Sequence, residues 1–178
     1  LQPRTAGGAG GLSLQDKAKV VLDEILEKLP ETFDLNALTE KLEERSPFTN
    51  VFLQEMERMN MLLFEMRRSL AELDLGLKGD LQISAPMEEL MQALFLDKVP
   101  SKWEALAWPS MRSLAMWLLN HQERNKQLQD VSGDLSLPKV TWISGLFNPQ
   151  SFLTAVMQST ARKNDWPLDK IVIQTELT

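Results

Sequence analysis

Residues 46–79 read SPFTNVFLQEMERMNMLLFEMRRSLAELDLGLKG. Ser46 stands at a helix-cap position and Pro47 at the first helical position, where its missing N–H costs nothing. From there Phe52, Met56, Met59, Leu63, Met66, Leu70 and Leu73 follow steps of 4, 3, 4, 3, 4 and 3. That spacing places all seven on one side of an α-helix and sustains a coiled-coil-like seam for three heptads. A helix over 47–74 is roughly 40 Å long at ~1.5 Å per residue. It needs long helical neighbours to cover the seam, and Gly76 and Gly79 predict its end. Phe52, Met59, Leu63, Met66 and Leu70 are the residues expected to carry this seam. Their soft, unbranched Met neighbours read first as core and second as an adaptable contact surface.

The sequence on either side continues the helical pattern. Ser13 predicts a cap for a helix reaching about Leu29, with Leu14, Ala18, Val21, Leu22, Ile25 and Leu29 inward and Pro30 as its stop. Asp34 predicts a short helix to about Glu44. Downstream, Ser84 and Pro86 open a helix to about Phe95, and Ser101–Glu104 fits a capping box. Pro109 predicts the start of a long helix to about Asp130, with Met111, Leu114, Leu118, His121, Asn125 and Leu128 along its stripe. Trp103, Trp108 and Trp117 read as packing anchors.

After Leu135 the texture changes. Val140–Ser144 (VTWIS) and Lys170–Leu177 (KIVIQTEL) are short and rich in strand formers, which predicts β-strands at about 140–144 and 170–177. Between them Asn148 and Pro149 predict a capped helix reaching about Asn164. The expected fold is therefore mainly α, an array of amphipathic helices with one or two short strands near the C-terminus. Three regions follow: a Gly/Ala-rich linker over 1–12, a helical array over 13–135, and a helix with strands over 136–178. An apolar strand without a partner is an aggregation hazard, so the sequence reads as a piece of a longer polypeptide that supplies the partner.

Composition removes functions without supplying one. Cysteine is absent and there is one histidine, which excludes disulfides, thiolate metal sites and histidine-rich centres. The net charge of −6 disfavours coating nucleic acid or anionic lipid. The acidity is local, because residues 13–80 hold 9 basic and 15 acidic side chains. No apolar run reaches the length of a transmembrane helix. Neither the Gly7–Gly11 run nor Gly76–Gly79 is followed by the Lys-Ser/Thr pair of a phosphate-binding loop. His121 lies on an apolar helix face without the second histidine of a zinc site, and reads as a hydrogen-bonded, partly buried residue. Neighbouring carboxylates such as Glu88 and Glu89 point to different helix faces, so they do not form a general acid–base pair. Asn148, Gln150, Arg162 and Asn164 are candidates for holding the corner between the last helix and the following strand, and Trp166 for an interface beside it.

The segment Phe147–Asp169 (FNPQSFLTAVMQSTARKNDWPLD) resembles the signature of axonemal dynein heavy chains, more the outer-arm type. Glu57–Asn60, Arg67–Leu70 and Leu77–Gly79 resemble the long-helix region of the same C-terminal domain. Leu1–Arg4 resembles the junction from the sixth AAA-type module, so the resemblance covers essentially the whole sequence. It implies a helical portion of a domain that continues into a β-rich part and lies against a ring of AAA-type modules. It implies no catalytic, cofactor or metal residue here, with ATP and Mg bound elsewhere in the parent. It implies as partners the other modules of the heavy chain, the intermediate and light chains and microtubules, and as location the cytoskeleton of the axoneme; neither nucleic acid nor membrane is implied. The expected function is a non-catalytic brace of a microtubule motor. The alternative is a freestanding helical adaptor that docks a basic partner on its acidic first half.

Overall fold

The computed structural model describes residues 13–42 and 45–177, which form seven α-helices and two short 3-10 turns. Helix α1 covers Leu14–Lys28, α2 Leu35–Glu40, α3 Pro47–Lys78, α4 Ala85–Phe95, α5 Ser101–Glu104, α6 Leu114–Val131 and α7 Pro149–Asn164. The proposed linker over 1–12, Glu43 and Glu44 lie outside the described residues.

Helix α3 is the axis. At 32 residues it is ~48 Å long. The Ser46 hydroxyl accepts from the Thr49 N–H at 3.1 Å, and the Thr49 hydroxyl accepts from the Ser46 N–H at 3.1 Å. This reciprocal cap uses Thr where the usual pattern has Glu or Gln. The helix continues one turn past Asp74 and keeps Gly76 buried inside it. It ends at Gly79, whose φ of 86° is the left-handed geometry that closes a helix. Helices α1 and α4 pack on each other and on α3, α6 and α7 cover other flanks of α3, and α2 and α5 pad its sides. All seven seam residues are fully buried, together with Leu62 on the adjoining row.

Several expectations fail here for identifiable reasons. No strand forms among the described residues. Residues 143–145 make a 3-10 turn, and residues 171–177 run without regular structure. Strand formers produce a strand only where a second backbone offers a ladder. At Trp142 both backbone groups are instead taken by the side chain of Gln127: the amide N–H donates to Oε1 at 2.7 Å and the carbonyl accepts from Nε2 at 3.2 Å. The capping box at Ser101 is absent. Pro100 occupies the cap position of α5, and the Ser101 hydroxyl donates to Glu89 Oε1 at 2.6 Å. Helix α6 starts at Leu114 rather than Pro109, leaving Met111 fully exposed. Its first amides are capped from the end of α4: the Leu114 N–H donates to the Asp97 carbonyl at 2.9 Å and the Ala115 N–H to the Asp97 carboxylate at 2.9 Å. A cap supplied from so far away in sequence leaves no local signature. Helix α2 ends at Glu40, short of the expected Glu44.

Candidate functional site

Phe48, Val51, Phe52, Glu55, Met59 and Leu62 all face inward on α3, so a carboxylate stands in an otherwise apolar row. Glu55 is 2 % exposed. Its two oxygens accept the backbone N–H groups of Phe147 at 2.6 Å and Asn148 at 2.8 Å. These are the amides just before α7, which no helix bond can satisfy. Glu55 therefore ties the start of α7 to the first third of α3 across more than ninety residues of sequence. Burial raises its pKa, and the two N–H donors, Arg58 and Arg124 oppose that rise. Asn148 completes the join by accepting the Ser151 N–H at 3.1 Å as the α7 cap. Phe152 then packs its ring against Phe48 and Phe52.

Helix α6 supplies the other half of the join. The Arg124 guanidinium is held between two indoles, 4.1 Å from the centre of the Trp108 ring and 5.1 Å from that of Trp142. Its Nε donates to Asn120 Oδ1 at 2.9 Å. Burial pushes its pKa down to about 10, with the Glu55 carboxylate pulling the other way. Trp108 also stacks on Trp117 with ring centres 5.2 Å apart, and both rings lie against His121. His121 departs from its expected hydrogen-bonded, partly buried state. It is 1 % exposed, and its Nε2 finds no partner among the described residues. Burial first, and then the nearby Arg124 charge, pushes its pKa down to about 4. The imidazole is therefore neutral at physiological pH and acts as a flat packing element.

The remaining proposed residues occupy different places. Phe52, Met59, Leu63, Met66 and Leu70 form the inside of α3. Asn148 caps α7, while Gln150 is exposed and shares a shallow cleft of about 330 Å³ with Asn50, Gln54 and Gln158. Arg162 and Asn164 are exposed in the last turn of α7, where Asn164 Nδ2 donates to the Thr160 carbonyl at 2.9 Å. Trp166 is 55 % exposed, with its N–H donating to the Ala161 carbonyl at 3.0 Å. Arg162 and Asn164 thus stand at the opposite end of α7 from Asn148 and Gln150, so the four do not form one corner. A larger groove of about 460 Å³ runs between α1 and α6, lined by Val21, Ile25, Leu118, Leu119 and His121 among others. Among the described residues no set of three His, Asp or Glu side chains is grouped to hold a metal ion, and no helix is long and apolar enough to cross a membrane.

Sequence reasoning did not single out Glu55, Arg124, Gln127 or Trp142. Glu55 had a readable signal: it continues the row Phe48, Phe52, Met59, Leu62, Met66 at helical spacing. Arg124 had none, because its burial depends on two indoles from separate segments.

The arrangement has buried charges whose partners are backbone N–H groups and aromatic faces, and this is a means of joining helices. Comparison with known proteins gives the family. The family described as the C-terminal domain of the dynein heavy chain matches residues 1–178. The protein belongs to this family. The flagellar outer-arm dynein beta chain of Chlamydomonas reinhardtii is 58% identical over 100% of the sequence. The ciliary dynein beta chain of Tripneustes gratilla is 54% identical, and dynein axonemal heavy chain 17 of Homo sapiens 52% identical, each also over 100% of the sequence. The 178 residues span about 4% of the length of each of these relatives. Within this dynein C-terminal domain, the Glu55–Arg124 join lies where α3, α6 and the start of α7 meet.

Proposed function

We propose that the protein is a non-catalytic structural and regulatory module of an axonemal dynein heavy chain, a microtubule-based motor driven by ATP. Its work is to brace the ring of AAA-type modules and to tune motility. The observation that supports this reading is the family match across all 178 residues, with relatives named as flagellar and ciliary dynein chains. The geometry adds a mechanical reason. A 32-residue helix buried along one face, with α7 tied to it by Glu55, moves as one body and passes displacement at one end to the other. The module's place is the cytoskeleton of the axoneme, and its partners are the other parts of the heavy chain, the intermediate and light chains, and microtubules. Gln150, Arg162, Asn164 and Trp166, exposed at the two ends of α7, are the residues proposed to face those neighbours. ATP and Mg belong to other modules of the parent.

Thermal unfolding of the 178-residue protein with and without Mg-ATP tests the non-catalytic assignment. The expected result is an unchanged midpoint, and a saturable rise at micromolar nucleotide refutes it. In a complete heavy chain, Leu63→Ala is expected to alter force or velocity on microtubules while nucleotide binding stays unchanged. Motility identical to the parent would overturn the bracing role.

A further inference from the structure

The connector between α6 and α7 is attached in an unusual way. Between Leu135 and Leu146, which are 1 % and 2 % exposed, the backbone meets α6 at Gln127. Residues 136–141 make no backbone–backbone hydrogen bond among the described residues, and 142–146 bond only to one another. The middle of the connector is fastened to α6 by two side chains. Gln127 grips the backbone N–H and carbonyl of Trp142, and the Trp142 indole lies on the Arg124 guanidinium. Most of the rest of the span faces solvent, with Val140 86 % exposed, whereas Gly145 is buried. The indole lies so close over Gly145 that a Cβ there would approach a ring carbon to 2.3 Å. At one end Leu135 adopts a φ of 52°, a left-handed conformation that a residue with a side chain occupies at some cost. The Asp134 carboxylate accepts the Ser136 N–H at 3.0 Å and its hydroxyl at 2.8 Å, which shapes that bend.

We propose that residues 136–145 form a strap, hinged at Leu135 and Leu146, that swings off α6 as a unit while the helices stay folded. Closed, the Trp142 indole is the outer cover of Arg124. Open, the strap uncovers one face of a guanidinium that is 7 % exposed and whose Nη1 has no partner among the described residues. Releasing it breaks two hydrogen bonds and one stacking contact, gives up the packing of residues 143–145 on α6 and α7, and leaves the α3 seam untouched. Local openings of this kind expose few apolar groups, and they precede global unfolding. The Glu55 bonds to Phe147 and Asn148 lie beyond the hinge, so α7 keeps its anchor when the strap lifts.

Amide hydrogen exchange on the 178-residue protein tests it. Peptides covering 137–145 are expected to exchange at least about tenfold faster than Met59–Leu70, with the Trp142 amide as the reporter because Gln127 is its acceptor. Gln127→Ala, a half-buried position whose loss leaves the core intact, is expected to speed that segment by about a further tenfold and to leave α3 and α4 unchanged. Trp142→Ala is expected to do the same through the stacking contact. Exchange of 137–145 at the rate of the α3 core, or acceleration by Gln127→Ala spread evenly over all helices, overturns the proposal.

Discussion

Replacing Glu55 with alanine probes the join most directly. The carboxylate accepts two backbone N–H groups at 2.6 and 2.8 Å inside the protein. Hydrogen bonds to a charged group contribute about 1.5–3 kcal/mol each, and a buried N–H left without a partner costs about 1–3 kcal/mol. The truncation also deprives Arg124 of the carboxylate that favours its charged form. Against these losses stands relief from burying a charge, which is substantial because burial is the largest influence on the Glu55 pKa. The balance is a loss of about 3 kcal/mol, a large part of the ~5–15 kcal/mol that holds a domain of this size folded. Urea unfolding of parent and variant at pH 7, followed by helical circular dichroism, gives the number. Glu55→Gln keeps one acceptor but turns an NH2 group toward the second N–H, so it falls between the parent and alanine. Asn148→Ala removes only the cap and is expected to cost about 1 kcal/mol. A Glu55→Ala loss under about 1 kcal/mol, or one no greater than that of Asn148→Ala, refutes the reasoning.

Three further outcomes follow from the same packing. His121, with its pKa lowered from 6.5 to about 4, stays neutral in the fold while the unfolded state takes up a proton. Its contribution to stability is therefore complete above pH 6.5 and is lost as pH falls toward 4, by up to about 3 kcal/mol. His121→Phe is expected to flatten that part of the stability–pH curve, and a curve of unchanged slope contradicts the assignment. Leu63→Ala empties a fully buried seam position and is expected to cost about 2–5 kcal/mol in chemical denaturation. Gly79→Ala places a Cβ in open space at a φ of 86°. It is expected to lower stability by about 1 kcal/mol through backbone strain alone, seen as a small drop in unfolding midpoint.

The sequence speaks most clearly where structure is local. The 4,3 rhythm from Phe52 to Leu73, the Ser46-Pro47 and Asn148-Pro149 starts and the Gly79 stop are short-range signals, and the helices sit where these signals put them. The failures share one cause, a partner distant in sequence. Asp97 caps α6 from another element, Gln127 satisfies the backbone that would have made a strand at Trp142, and the indoles that bury Arg124 come from two separate loops. The candidate site was only partly legible for the same reason. Asn148 was visible as a cap, whereas the carboxylate that receives the amides beside it lies ninety-two residues earlier.

The distribution of methionine sulfur sets an order of chemical damage. Met56, Met59 and Met66 are sealed within α3, and Met87 and Met91 are 8 % exposed, while Met61, Met111 and Met116 stand half or fully in solvent. Peroxide therefore reaches the outer thioethers first and converts them to sulfoxides without disturbing the fold. Loss of helical signal under oxidant marks the moment when the inner ones are reached. Until then the rind of the molecule serves as its own antioxidant.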